Sequence, residues 1–256
     1  MAVIVTGNHP KALWPGVASW FGSKYAEHEA QYPKLFETRS STKNYEELVQ
    51  QTGFGLAPVK PEGSSTMYDS HSQGYTARGV NVAYSLGYIV TREELADNLY
   101  EEVSMRRAGA LAFSMAQTRE NVGANIYNRA FTAAYAGGDG KELLATDHPT
   151  VSGDQSNELA TAADLSEASL EDLCIQIMDA TDFKGLKVSI RPKRLIIPTA
   201  LTYDAQRILK SQLRSGTADN DVNALRLMGS IPEIVVNNYL TDSALADQDV
   251  SRSSDR

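Results

Sequence analysis

The sequence predicts an α+β protein, and three observations carry that prediction. Val80, Val82, Tyr84, Leu86, Tyr88 and Val90 all fall on even positions, while the odd positions from 79 to 87 are Gly, Asn, Ala, Ser and Gly. A period of two over such a run marks a β-strand with one apolar and one small-residue face. From Thr91 to about Tyr135 there is no proline, and Leu95, Leu99, Val103, Ala110, Phe113, Val122, Ile126 and Ala130 form a helical stripe. Further on, RPKRLIIPTALTYDAQRILKS reads as a strand, a proline stop and a helix.

Taken in order, residues 11–31 read as a helix beginning after Pro15, a residue suited to a first helical position. Trp14, Val17, Trp20, Phe21 and Tyr25 fall close to one side, as in a core helix or a partner-binding arm. Tyr32-Pro33 ends it, Leu35–Arg39 reads as a short strand, and Tyr45–Gln51 as a short helical or extended piece. Residues 53–62 form an extended limb in which Pro58 and Pro61 suit an edge strand. With the period-two run they predict a long hairpin over 53–90, with the polar tip SSTMYDSHSQG. Its second strand would span roughly 40 Å, about twice the usual length.

Thr91-Arg92-Glu93-Glu94 is a capping box. An unbroken helix over the following stripe would run about 65 Å, a structural spine that Gly109 and Gly123 could bend or interrupt. AYAGGDG breaks the pattern, and Ser152–Ala163 reads as a surface loop. Leu165–Asp182 is a second amphipathic helix with Leu170, Leu173, Ile177 and Ala180 inward and Cys174 as a buried small hydrophobe. A strand at Leu195–Ile197, a helix at about 200–212, the polar loop SGTADNDVNA and a strand at Glu233–Val236 complete a small α/β unit over 152–240.

Composition narrows the function. The 256 residues suit one large domain or two modest ones, and 42% hydrophobic residues supply a core. No apolar run approaches the roughly 18 residues of a membrane span. MAVIVTG has too short an apolar run and no basic region for a signal peptide, so a soluble intracellular product is expected. The single Cys174 excludes an intrachain disulfide and a cysteine zinc cluster. A net charge of −8 argues against a free-standing nucleic-acid binder, and Arg106-Arg107 reads as a solvated helix face.

No catalytic constellation is legible. Gly53-x-Gly55-x-x-Pro58 lacks a third glycine and a following helix to cradle a phosphate. Gly138-x-Gly140-Lys141 lacks the earlier glycine (Tyr135) and the magnesium-binding hydroxyl (Glu142) of a P-loop, and reads as a turn. Asp147-His148-Pro149 suggests a carboxylate–imidazole pair, but without a nucleophile motif it reads as structural. Asp139, Glu142, Asp147 and Asp154 do not have EF-hand spacing. No catalytic, cofactor or metal site is therefore expected.

The succession GFGLAPVKPEG, TARGVNVAYSLGYIVTREELADNLY, a long helix, GGDGKELLATDHP and RPKRLIIPTAL resembles the major capsid proteins of tailed bacteriophages. It is most similar to the Mu-like major head subunits, over about residues 10–241. The resemblance implies the Hong Kong 97-type capsid fold: residues 1–50 as N-terminal arm, 51–90 as an extended β-hairpin loop, 91–150 as a peripheral domain with the spine helix, and 151–241 as the axial domain. It implies a shell of pentamers and hexamers in the virion, assembled in the host cytoplasm with scaffold, portal and decoration proteins. The shell would enclose DNA without reading its sequence, with no membrane partner and no cofactor. Family members continue with further strands after the YLTD region, whereas 242–256 is a polar tail, the expectation being a truncated or replaced segment. Phe54, Leu56, Tyr75 and Arg78 on the hairpin limbs and Trp14, Trp20 and Phe21 on the arm are the candidate intersubunit contacts. A nanocompartment shell of the same fold, and a small enzyme or ligand-binding module centred on 152–240, are the alternatives.

Overall fold

In a computed structural model of the chain, residues 10–93, 100–214 and 221–241 are described. They divide into two compact units, one within Met1–Thr38 and Val82–Ala124, the other within Arg39–Asn81 and Asn125–Arg256.

The first unit is helical. Helix α1 (Pro10–Ala26) begins at Pro10 and not after Pro15. Helix α2 (Tyr32–Leu35) is a single turn. Leu35, expected in a strand, is buried at the end of that turn. The cause is Glu120, whose buried carboxylate accepts the Gln31 and Tyr32 amides at 2.9 and 3.0 Å. These are the orphan donors of a helix start, and Pro33 supplies a helical φ there.

Helix α3 (Tyr100–Asn128) has 29 residues, so it is about 44 Å long. Ala108, Ala112 and Ala124 are buried along it. Gly109 and Gly123 do not break the helix, and Gly123 is a place of close approach. A methyl group on Gly109 would lie 3.9 Å from Lys24 Cγ, and one on Gly123 would lie 3.3 Å from Tyr32 Cβ. The Arg119 guanidinium sits 4.3 Å from the centre of the Tyr32 ring. The capping box Thr91–Glu94 lies partly outside the described residues, with 92 and 93 helical. The stripe predicted to reach Tyr135 stops at Asn128, whose side chain donates to the Tyr239 carbonyl and accepts from the Thr241 amide, both at 3.1 Å.

In the second unit, β1 (Tyr45–Gln51) pairs antiparallel with β2 (Gln73–Val80), from Tyr45 opposite Val80 to Gln51 opposite Gln73, with a register shift near Val49. The hairpin is thus made of other residues than predicted. Residues 53–62 form no strand, and the ladder ends at Val80. Asn81 closes that end: its amide donates to the Asn44 carbonyl and its side chain to the Lys43 carbonyl. From Val82 the chain belongs to the first unit; residues 82–90 carry the period-two run but no helix or ladder among the described residues, and Val82, Leu86 and Ile89 are exposed.

The predicted α/β elements of the second unit are present. Helix α4 (Glu167–Met178) starts with a reciprocal capping box between Ser166 and Ser169. Strand β3 (Arg194–Pro198) runs parallel to β4 (Glu233–Asn237), with Ile197 opposite Val236. Helix α5 (Thr202–Lys210) lies between them in sequence and buries Ala205, Ile208 and Leu209. Helix α6 (Ala224–Met228) is capped by the Asn223 side chain and ends at Gly229, whose φ of 58° suits a residue without Cβ. Leu170, Cys174, Ile208, Leu209 and Leu225 form one core, joined by Leu165, Leu195, Ile231 and Ile234. Cys174 is the buried hydrophobe expected. Ile177, expected inward, is exposed.

Candidate functional site: the hairpin loop and its root

The most exposed apolar surface of the second unit lies on the loop that joins β1 to β2. Phe54 is 58%, Leu56 83%, Val59 92% and Tyr68 93% exposed. A chain that folded only for itself would not leave this set in water, because each such side chain gains roughly 1.5–3 kcal/mol when covered. Prolines 58 and 61 keep the limb extended and deny it the amides of a ladder.

The loop is closed at its root. Thr52 donates its amide to the Ser72 carbonyl at 2.9 Å, and the Ser72 amide returns a bond to the Thr52 hydroxyl at 2.7 Å. One step outward, Asp69 joins both limbs: it accepts the Gly55 amide at 2.7 Å and the Ser70 amide at 2.8 Å. Lys184 adds its ammonium at 2.9 Å. The Gly55 amide that a bound phosphate would need is therefore already occupied by the protein's own carboxylate.

The turn at 137–140 seats against β2. A methyl on Gly138 would lie 2.8 Å from Ala77 Cβ and 3.0 Å from its Cα, so only glycine fits there. Lys141 pairs with Asp147. His148 does not act with Asp147: its Nδ1 meets Asp139 at 2.6 Å. Burial raises the Asp139 carboxyl, but the bonds from His148 and the Lys141 amide prevail and lower it below its ordinary value. Asp139 and His148 border a cleft of about 860 Å³ together with Gln50, Gly53, Tyr75, Thr181 and Asp182. Of its polar groups, Gln155 donates to the Thr181 hydroxyl and the Asp182 carbonyl, whereas Gln50 Oε1 and His148 Nε2 are buried without a protein partner. Among the described residues no cluster of His, Cys, Asp and Glu could hold a metal ion. No described helix is long and apolar enough to cross a membrane.

The candidate contact residues fall in different settings. Phe54 and Leu56 stand on the exposed loop, Phe54 with its ring 5.8 Å from His71. Tyr75 is on β2, edge-on to Phe183 at 6.5 Å. Arg78 is spent within the hairpin, paired with Glu47 at 2.5 Å and stacked over Tyr45. On α1, Trp20 is exposed under the Lys24 ammonium, and Phe21 is half-buried and stacked on Tyr25. The Trp14 side chain lies outside the described residues. Sequence reading missed Asp69 and Lys184, which meet across 115 positions. The one local signal was the turn sequence Asp182-Phe-Lys-Gly185, which fixes where Lys184 begins.

The Gly55, Lys184 and Ser70 bonds hold the Asp69 carboxyl down from its ordinary 3.8 to about 2. A carboxyl depressed on folding stabilises at pH above its unfolded value, and that contribution is lost as pH falls through the folded value. The charge paired with it is the Lys184 ammonium. The Gly55 amide resonance is therefore expected to titrate with a midpoint near 2; a midpoint at the free value of ~3.9 would contradict the arrangement.

The exposed apolar loop is surface of the kind that another protein covers, as in a subunit of an assembly. The family follows from comparison. Residues 81–252 match the phage capsid protein family, well over half of the chain, and the chain belongs to that family. Its fold is similar to the capsid chain of bacteriophage JBD30 in a capsid decorated with minor capsid protein trimers. That match has a TM-score of 0.63 and 13% identity, covering 84% of this chain and 92% of that one. The chain of the JBD30 procapsid aligns with a TM-score of 0.57 and 18% identity, covering 91% and 99%. At these identities the likeness is one of fold. Among curated proteins no sequence matches. The chain is a phage capsid protein, and the reading of 152–240 as a small enzyme or ligand-binding module is not favoured.

Proposed function

We propose that this chain is the major head subunit of a tailed bacteriophage, with the Hong Kong 97-type fold and nearest to the Mu-like group. The observation that carries the proposal is the exposed apolar loop between Thr52 and Ser72 in a chain of the phage capsid family. In this reading 1–50 is the N-terminal arm, 51–90 the extended loop, 91–150 the peripheral domain with α3 as its spine, and 151–241 the axial domain. The loop lies on a neighbouring subunit, which removes Leu56, Val59 and Tyr68 from water and supplies partners for the open hairpin edges. Many modest interfaces repeated by symmetry then hold pentamers and hexamers together.

The shell encloses DNA without reading it, in keeping with the net charge of −8. The work of the protein is done in the virion, after assembly in the host cytoplasm. Scaffold, portal and decoration proteins are the further partners, the last by analogy with the minor capsid protein trimers on the JBD30 capsid. Sedimentation velocity of the purified full-length chain tests the reading. Capsomers or shells are expected, and a compact monomer at high concentration would contradict it.

A further inference from the structure

We propose that Lys184 is a positioning residue, pinning the 53–72 loop through Asp69 at the angle that shell assembly requires. The proposal rests on the capsid-subunit reading, which gives the loop its task. Lys184 reaches the loop with two bonds, to the Asp69 carboxylate at 2.9 Å and to the Ser70 carbonyl at 3.2 Å. Its side chain is only 18% exposed, so the ammonium is directed to this one place.

The turn that carries Lys184 is rigidly built. Asp182 accepts the Lys184 and Leu186 amides on its side chain at 2.9 and 2.8 Å, and the Gly185 amide on its carbonyl at 3.0 Å. Gly185 has a φ of +84°, which a residue with Cβ rarely adopts. The Asp182 amide bonds the Leu186 carbonyl, and Thr181 bridges Lys187. The backbone at Lys184 is thus set before the side chain reaches out.

At the other end the carboxylate is equally defined, since Asp69 holds the Gly55 amide of the outgoing limb and the Ser70 amide of the returning one. The Thr52–Ser72 clasp closes the two limbs but leaves them free to swing about the end of the ladder as a pair. Lys184 adds the fixed point outside the hairpin that sets their direction. Each limb beyond Gly55 runs about six residues, or about 20 Å. A swing of about 10° at the root would move the tip by about 3–4 Å and Val59, about 13 Å out, by about 2 Å, enough to carry the outer part of the loop out of register with any partner surface.

The test uses the full chain with Lys184→Met, which keeps the stem and removes the charge, and Lys184→Arg, which keeps the charge. Limited proteolysis within 53–72 is measured on protein kept dilute and unassembled, and shell yield by sedimentation and electron microscopy at high concentration. Lys184→Met is expected to speed loop cleavage by about three- to tenfold with the melting temperature almost unchanged, and to lower shell yield. Lys184→Arg restores both. Asp69→Asn, which keeps an acceptor for Gly55, is the second variant and should behave as Lys184→Met does. Cleavage and yield equal to wild type in both variants would overturn the proposal. Absence of shells from the wild-type protein overturns the capsid-subunit reading and the assembly half of the proposal, whereas the cleavage comparison decides the pin separately.

Discussion

Replacing Phe54 and Leu56 together by aspartate is expected to abolish shell formation while leaving the subunit folded. Both side chains are mostly exposed in the single chain, and the Phe54 ring meets His71 of its own loop. Exposed substitutions of this kind change folding stability by about 0.5 kcal/mol or less each. At an intersubunit surface the same two side chains would contribute about 1.5–3 kcal/mol apiece by area, and a carboxylate there must be desolvated as well. The loss recurs at every equivalent contact of a symmetric shell, so a few kcal/mol per subunit removes the assembled state altogether. The check is a pair of measurements on one preparation: thermal unfolding, expected within about 2 °C of wild type, and sedimentation, expected to show no particles. Equal loss of soluble protein and of assembly would mean that the two residues belong to a core.

The second large effect is expected inside the α/β unit. Asn223 is 1% exposed. It donates to the Ile208 carbonyl at 2.5 Å and the Ser211 carbonyl at 3.3 Å, and it accepts the Arg226 amide at 3.1 Å. One side chain therefore caps α6 and ends α5, the two helices that supply Ile208, Leu209 and Leu225 to the core. Asn223→Ala removes a cap, about 1 kcal/mol, and leaves a carbonyl in the core without a donor, about 1–3 kcal/mol more. The sum, about 2–4 kcal/mol, should appear as a fall of about 5–12 °C in the melting temperature. Asn223→Asp separates the two causes. It keeps the cap acceptor but turns a carboxylate toward two carbonyl oxygens, so it should be no more stable than alanine. If Asn223→Asp were close to wild type, the cap alone would matter and the bridge to α5 would not. Measuring both in the Phe54→Asp/Leu56→Asp background keeps the protein unassembled, so unfolding is read on the subunit itself.

What the sequence made legible is what depends on neighbours in the chain. The apolar stripe from Leu165, the proline stop after LII and the polar loop SGTADNDVNA place α4, β3, α5 and β4 within a few residues of where they lie. The hairpin was misread because pairing is not a local property. YEELVQQ has no clean alternation, yet it forms β1 because Val80 through Gln73 lie opposite it in register. The run from Val82 to Val90 has the alternation but no ladder among the described residues. Alternation reports which face is apolar; it does not say which strand, or which molecule, completes the pair.

The loop root shows the same division. Glycines 53 and 55 read as part of an extended limb with no following helix, and the limb indeed forms no helix. That the amide of Gly55 is held by Asp69, and Asp69 by Lys184, rests on an approach across more than a hundred positions that no spacing rule encodes. His148 illustrates the converse: sequence adjacency suggested Asp147, and the fold selected Asp139, because neighbouring side chains point apart while a turn brings distant ones together. Family membership, by contrast, was carried by the order of several weak motifs along the chain, and a match over residues 81–252 bears it out.

The central claim is that this chain works by assembling with copies of itself, and imaging the purified full-length protein by negative-stain electron microscopy at high concentration tests it most directly. Closed shells, or rings of five and six subunits, are the expected result. A field of separate, uniform monomers under every condition in which the chain is folded would contradict it.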